Sequence, residues 1–362
     1  MQDNSITRRD ILIAMGGAAT LAACGTASDP AAGGLGVAIV GLGGLSLGQV
    51  VPALQKTEYC HLAGLVSSGR DKLRDIGSRY DVSEDAQFTY DEFDRIADNP
   101  DIDAVYIALP NALHAEYAIR AAEAGKHVLC EKPLAVSVDE CNAMIAASNT
   151  AGTYMGVAYR LAFDPNHLEI IRLGREQAFG PVQVVRADIG FPVGDDWRLD
   201  PQLAGGGVLL EQGIYAINAA RKIFGEIPID VTGHTSGSNP ERFVGVEESA
   251  FWTMRFPSSG IAQCAASYTV RMDRIWAGAE AGYFGLEPAF VYEGLRGDSS
   301  SGSIRHRGHN QFVAMLDEFA NRVQQKLPLG ELAAEEGLLD VRIIEAIYNS
   351  VREKRPIEIG PA

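Results

Sequence analysis

The sequence predicts an α/β protein in two parts. A doubly wound parallel sheet comes first, then a second α/β domain built on a large, mostly antiparallel open sheet. Three observations predict this. Short apolar runs alternate with amphipathic stretches from Leu35 to about Ala158, the rhythm of strand–helix–strand units. A glycine-rich turn, Gly41-Leu42-Gly43-Gly44, follows the first of those runs. Beyond Gly180 the pattern changes to period-two alternation, which suits strands with one covered and one open face.

A chain of 362 residues fits about two domains. With 46% hydrophobic and 22% charged residues it can fill a core in each. The formal net charge of −16 argues against nucleic acid, which is bound largely through Lys and Arg. A phosphorylated ligand therefore needs a local basic pocket, because the overall field repels anions. The five cysteines, Cys24, Cys60, Cys130, Cys141 and Cys264, form no C-x-x-C pair and no metal-ligand spacing. They predict neither a structural disulfide nor a metal site, and Cys130, ending an apolar run, reads as a small buried hydrophobe.

Residues 1–23 read as an export signal. Arg8 and Arg9 stand just before a short apolar run, Ile11 to Ala23, too short and too rich in Gly and Ala for a comfortable membrane span. The twin arginine points to the export machinery that carries folded proteins, and so to a periplasmic location. Leu21-Ala22-Ala23-Cys24 serves equally as a lipobox, with Cys24 lipidated, or as a plain small-residue cleavage site. Residues 24–34 are then a flexible tether.

The first domain spans residues 35–158. Val37–Val40 is a buried strand, and the glycine turn after it leads into a helix reaching about Lys56. Gly41, Leu42 and Gly43 let the backbone approach a pyrophosphate at the helix N-terminus, and Ser46 takes the place of the usual third glycine. This context, strand before and helix after, is that of a Rossmann dinucleotide site. The second strand, His61–Val66, ends at Ser67-Ser68-Gly69-Arg70-Asp71-Lys72. An NAD site usually places an acid there for the ribose hydroxyl. Ser67, Arg70 and Lys72 instead suit a 2′-phosphate, which predicts NADP(H).

Asp103–Leu109 is a further parallel strand, ending in Pro110-Asn111-Ala112-Leu113-His114 before a helix to about Ala124. His127–Cys130 follows and ends in Glu131-Lys132-Pro133. Ligands in such folds sit beyond the carboxyl ends of the strands, where Leu109, Asn111, His114, Glu131 and Lys132 all fall. Asn111 serves there as a ligand contact or as a helix cap. His114 is a substrate contact or a neutral packing residue.

The second domain, 159–362, is read as substrate-binding and oligomer-forming. Asp164-Pro165 opens a helix with a capping residue and a proline in its first turn. Val182–Ile189, Ile229–Gly233, Ala250–Phe256 and Ile261–Tyr268 alternate as strands of the open sheet. The amphipathic stretches Asn310–Val323 and Glu331–Glu353 are available to cover it. After Gly205-Gly206-Gly207, a helix would align Glu211, Tyr215 and Asn218 on one face. That face is either a surface stripe or a proton-transfer edge. A phenol works as a base near neutral pH only beside a cation, and Lys132 is the candidate.

These residues resemble the Gfo/Idh/MocA oxidoreductases, and within them the glucose–fructose oxidoreductase branch. The markers are Val40-Gly41-Leu42-Gly43, Leu109-Pro110-Asn111, Gly125-Lys126-His127-Val128, Glu131-Lys132-Pro133, Tyr159-Arg160, Trp197-Arg198-Leu199 and Gly213-Ile214-Tyr215. The resemblance runs from about Gly36 to Ile359. It implies that Tyr215 is general base in oxidation and general acid in reduction, with Lys132 lowering its pKa and binding the reacting oxygen. It implies sugar contacts from Arg160 and Glu211, and cofactor contacts from Ser67, Lys72 and the loop of Glu131 and Pro133. Glu211 departs from the family's usual Asp. The segment before the first strand lacks the proline-rich arm of the glucose–fructose branch, so the resemblance leaves that branch's cofactor retention and tetramer open.

The expectation is an exported NADP(H)-dependent sugar oxidoreductase, a dimer or tetramer. It would oxidise an aldopyranose at C1 to a lactone and pass hydride to a ketose or aldose, giving a polyol. The alternatives are a simple NADP-dependent aldose dehydrogenase with exchangeable cofactor, and a non-catalytic sugar- or dinucleotide-binding sensor.

Overall fold

The computed structural model describes residues Gly34 to Gly360. The expected export signal, Cys24 and all of the tether except Gly34 lie outside the described residues.

The first sheet is built as the apolar runs require. Its elements are β1 (Leu35–Val40), a π-helical turn (Ser46–Val50) running into α1 (Val51–Leu54), β2 (Cys60–Ser67), α2 (Arg70–Tyr80), β3 (Gln87–Thr89), β4 (Ala104–Ile107), α3 (His114–Glu123), β5 (His127–Glu131), α4 (Val138–Ala151) and β6 (Met155–Ala158). All six strands run parallel in the order β3-β2-β1-β4-β5-β6. Strands β1 and β4 are buried on both faces, which is why they read as unbroken apolar runs rather than alternations. The order reverses at β1/β4, and the glycine turn leaves β1 at that switch point.

The chain then forms α5 (Pro165–Arg175), capped by the Asp164 carboxylate on the Asn166 and His167 amides. There follow β7 (Val182–Gly190), α6 (Pro201–Ala204), α7 (Ile214–Phe224), β8 (Asp230–Ser236), β9 (Ser249–Arg255), β10 (Ile261–Ser267), β11 (Met272–Ala279), β12 (Gly282–Leu286), β13 (Gly297–Ser299) and β14 (Gly302–Ile304). The chain closes with α8 (Gln311–Gln324), α9 (Ala334–Glu353) and β15 (Ile357–Glu358).

The second sheet has nine strands in the order β14-β13-β12-β11-β7-β10-β9-β8-β15. It is antiparallel except where β10 runs parallel to β7. Helix α7 packs on β7 and α5, and α9 packs on β8. The opposite face leaves Val184, Phe251, Ile261, Trp276 and Tyr283 exposed.

Helix α8 departs from the expectation that it covers this sheet. Phe312, Met315, Leu316 and Phe319 join the core around β1 and β2, so α8 closes one face of the first sheet instead. Its apolar stripe was legible, but an amphipathic pattern does not say which sheet it will cover. The buried Cys130 agrees with its reading as a core residue, and burial pushes its thiol well above the ordinary range.

Candidate active site

A cavity of about 1280 Å³ opens between the carboxyl ends of the first sheet and the inner end of the second. Gly41, Leu42, Gly43, Ser67 and Lys72 line one end, with Leu109, Asn111, His114, Glu131 and Lys132 beyond them. Arg160, Glu211 and Tyr215 complete the wall from the second domain.

The glycine loop fits a dinucleotide. Gly41 has φ +95°, and a Cβ there would stand 2.4 Å from the Ala108 carbonyl oxygen, so only glycine lets β1 turn this close to β4. A Cβ at Gly43 or Gly44 would meet nothing within 4 Å, so the loop presents bare backbone to the cavity. Ser46 is buried and its hydroxyl donates to the Gly41 carbonyl, which locks the turn onto the helix.

Beyond β2, Ser67, Ser68 and Lys72 face the cavity together with Tyr90, which sequence reasoning did not single out. Arg70 does not. Its guanidinium donates to the Gln87 carbonyl at 3.0 Å and pairs with Glu92, and it is absent from the cavity lining. Arg70 is thus held by Gln87 and Glu92 outside the cavity. Glu92, far along the chain, also accepts from the Thr89 amide and hydroxyl, each at 2.9 Å, and no local pattern around Arg70 reveals it.

The other end of the cavity holds the candidate chemistry. Lys132 leaves β5, and its Nζ donates to the Glu211 main-chain carbonyl at 2.7 Å. The same nitrogen is 3.7 Å from Glu211 Oε1 and 4.6 Å from the centre of the Tyr215 ring. Burial acts to lower the pKa of this ammonium, but Tyr215, Glu211 and Glu131 outweigh it and hold the pKa above its ordinary value. Lys132 is thus a cation at neutral pH. Glu131 sits beneath it, accepting from the Tyr106 hydroxyl at 2.6 Å and from the Lys132 amide at 3.2 Å. Burial pushes the Glu131 carboxyl up, against the pull of Lys132.

Glu211 has a second cation. Arg198 Nε lies 3.5 Å from Glu211 Oε1, and its Nη1 pairs with Asp196 at 2.9 Å. The other Glu211 oxygen and Arg198 Nε are buried without hydrogen-bond partners among the described residues. Arg198 lies in the Trp197-Arg198-Leu199 motif, which carried the resemblance yet was not assigned to the site. Its sequence signal was therefore present and unused.

Four of the side chains singled out meet partners within the protein. Asn218 is absent from the lining of this cavity; it shares a smaller one with Tyr215, and its amide donates to Asp340 Oδ2 at 2.7 Å. A π-helical run, Leu209–Gly213, precedes α7, so ideal α-helical spacing does not hold from Glu211 to Tyr215, although both line the cavity. The two nitrogens of His114 lie 2.8 Å from the Pro133 carbonyl and 3.0 Å from that of Leu109. Each nitrogen faces a carbonyl, a neutral ring donates to one of them, and burial holds the imidazole below its ordinary pKa, which favours the packing alternative over a sugar contact. Arg160 reaches the cavity with its Nη atoms committed and its Nε without a hydrogen-bond partner among the described residues. Its guanidinium donates to the carbonyls of Phe290 (2.6 Å) and Val291 (3.2 Å) and to Gln311, and it stacks on Tyr292 at 4.4 Å. Asn111 is buried and donates to the Ala204 carbonyl at 3.1 Å, with no side-chain cap at that helix start.

A dinucleotide loop at one end of a cavity and a lysine–tyrosine pair at the other define a two-domain, nicotinamide-dependent oxidoreductase. Residues 35–159 match the oxidoreductase family with an NAD-binding Rossmann fold, and residues 167–284 match the GFO/IDH/MocA C-terminal domain. The chain belongs to the Gfo/Idh/MocA oxidoreductase family. It is 30% identical, over 89% of its length and 92% of the relative's, to the D-xylose 1-dehydrogenase [NADP(+)] of Haloarcula marismortui. It is 28% identical to the 1,5-anhydro-D-fructose reductase of Ensifer adhaerens, over 74% of this chain and 79% of that one. Among solved structures, the aldose-aldose oxidoreductase from Caulobacter crescentus complexed with glycerol superposes with a TM-score of 0.87 at 39% identity, covering 90% of this chain and all of that one.

Proposed function

We propose that the protein oxidises an aldopyranose at C1 to its lactone and passes the hydride to a second sugar, a ketose or aldose, which leaves as a polyol. The carrier is NADP(H), consistent with the hydroxyls of Ser67 and Ser68 and the cation of Lys72 at the far end of the cavity. One observation carries the reading: a charged Lys132 lies 4.6 Å from the Tyr215 ring centre in the same cavity as the glycine loop.

Held by the glycine loop with Ser67, Ser68 and Lys72, NADP⁺ would supply the hydride acceptor for the first sugar and NADPH the hydride donor for the second. Tyr215, as phenolate, takes the C1 hydroxyl proton while the hydride departs; as phenol, it returns that proton to the carbonyl oxygen of the second sugar. One sugar loses a hydride and a proton, and the other gains both. Lys132 stabilises negative charge on the phenolate and on the reacting oxygen. Its bond to the Glu211 carbonyl fixes the ammonium, and Glu131 supports it from below. Glu211 and Arg198 offer an acceptor and a donor to sugar hydroxyls at the cavity floor.

The likeness to an aldose-aldose oxidoreductase supports the two-sugar cycle. The likeness to a D-xylose 1-dehydrogenase [NADP(+)] supports the second reading, a simple aldose dehydrogenase that exchanges its cofactor. Retention of both Lys132 and Tyr215 argues against a non-catalytic sensor, which needs no proton donor. The proposal includes twin-arginine export to the periplasm, with Cys24 either lipidated or left by simple cleavage. It also includes a homo-oligomer, dimer or tetramer, for which the exposed face of the second sheet is available. Native mass spectrometry of the purified protein reads the N-terminus, the assembly and any held nucleotide together.

The test mixes stoichiometric enzyme with glucose, then with fructose or a second aldose. The reduced-nicotinamide absorbance rises with the first sugar and falls with the second. No rise with any aldose overturns the reading. Gel filtration separates the two enzyme readings, because co-eluting nucleotide belongs to the two-sugar cycle and free nucleotide to the dehydrogenase.

A further inference from the structure

We infer that Glu247 is a positioning residue for Tyr215 and Glu211, acting as a remote cap on the helical run that carries both. The inference rests on the acid–base role proposed for Tyr215.

The run starts without a cap of its own. Val208 stands at the N-cap position and makes no side-chain capping bond, and Gly205, Gly206 and Gly207 have no side chains to offer one. Unpaired amides at such a start need partners from elsewhere. Glu247, on the segment between β8 and β9, supplies them. Its Oε2 accepts from the Gly207 amide at 3.0 Å, and its Oε1 from the Leu209 amide at 2.8 Å. Its own carbonyl accepts from the Val208 amide at 3.3 Å. One residue thus satisfies three successive amides, and its negative charge complements the helix N-terminus.

The clamp is held from behind. Tyr348, on α9, donates its hydroxyl to Glu247 Oε1 at 2.9 Å and also accepts from the Gly207 amide at 3.3 Å. Gly207 must be glycine for this approach, because a Cβ there would stand 2.5 Å from the Glu247 amide nitrogen, carbonyl oxygen and Oε2. This gives the third glycine of the Gly205–Gly207 motif a physical reason. Neither Glu247 nor Tyr348 lines the cavity, so each acts through the helix rather than on a sugar. The carboxylate is two residues from Glu211 on the chain it caps, and Tyr215 follows one turn later.

The chemistry of the clamp dictates the test. Both carboxylate oxygens accept, so Glu247→Gln keeps the shape but turns one acceptor into a donor facing an amide. With Tyr215 displaced, kcat falls about 10- to 100-fold, the range expected for a misplacement on the order of 1 Å. The dissociation constant for NADPH, read by fluorescence titration, stays unchanged, because the glycine loop belongs to the other sheet. Tyr348→Phe removes one donor without creating a clash, and lowers kcat in the same direction by a smaller factor. Wild-type kcat in both variants overturns the inference. So does a loss of NADPH binding and thermal stability that matches the loss of kcat, since that marks a general structural defect. Tyr215→Phe is measured alongside. If it remains fully active, the acid–base reading fails; if it is inactive while Glu247→Gln turns over normally, only the positioning role fails.

Discussion

The ammonium of Lys132 lies 4.6 Å from the centre of the Tyr215 ring, although 83 residues separate them and each belongs to a different sheet's half of the molecule. The lysine is brought there by β5 and the tyrosine by α7. Their meeting is the point at which the two domains become one site.

Replacing Lys132 by Met keeps the stem and deletes the charge. Turnover falls by roughly 10²- to 10⁴-fold, the span typical of lost acid–base assistance. Lys132→Arg does not restore it, because a planar fork cannot reproduce a point charge bonded to the Glu211 carbonyl. Steady-state kinetics with circular dichroism as a folding control check both outcomes.

Gly41→Ala places a methyl against the Ala108 carbonyl in a backbone conformation of φ +95°. The cost is on the order of 1–3 kcal/mol, and NADPH affinity falls with it because the loop must shift. Chemical denaturation and nucleotide titration read the two effects. Gly43→Ala, whose Cβ meets nothing in the protein, leaves stability unchanged and weakens only nucleotide binding.

At the phosphate end, Lys72 and Arg70 behave differently. Among the described residues no carboxylate pairs with Lys72, which lines the cavity, whereas Arg70 is held by Gln87 and Glu92. Lys72→Ala weakens NADP binding by roughly 10- to 100-fold, the worth of a charge-assisted bond, and leaves NAD binding unchanged. Arg70→Ala shifts the NADP preference little. Isothermal titration with both nucleotides distinguishes the residues.

Acid sensitivity is predicted from the network behind Tyr215. Arg221 pairs with Asp340 at 3.0 Å and Glu336 at 2.6 Å, and Lys222 pairs with Glu336 at 2.7 Å. Burial acts to raise the Glu336 pKa, but Arg221 and Lys222 outweigh it and hold the carboxyl below its ordinary value. The folded value thus lies below the unfolded one of about 4.3. Its stabilising contribution is present above the unfolded pKa and lost as pH falls through the folded one. The difference in Tm between wild type and Glu336→Gln is therefore open at neutral pH and closes in acid. A constant difference across that range contradicts the assignment.

Much of this site was readable before any coordinates, for a physical reason. Gly41 and Lys132 stand at strand ends and Tyr215 near the start of a helix, positions that leave local marks in the chain. What was not readable depends on partners distant in sequence. Arg70 offered a cation at the right place, but Glu92 takes it. His114 offered an imidazole, but its two nitrogens face the carbonyls of Leu109 and Pro133. Asn218 keeps its helical spacing from Tyr215, yet Asp340 claims its amide. The period of α8 announced a helix with one apolar face, and only packing decided that the face belongs to the first sheet.

The most direct test of the account is a single-turnover measurement on Tyr215→Phe loaded with NADP⁺. The ring, and its contacts with Lys132 and Phe290, are kept while the proton acceptor is lost. The account predicts nucleotide binding at wild-type affinity and cofactor reduction by aldose slowed roughly 10²- to 10⁴-fold. Reduction at the wild-type rate would contradict it.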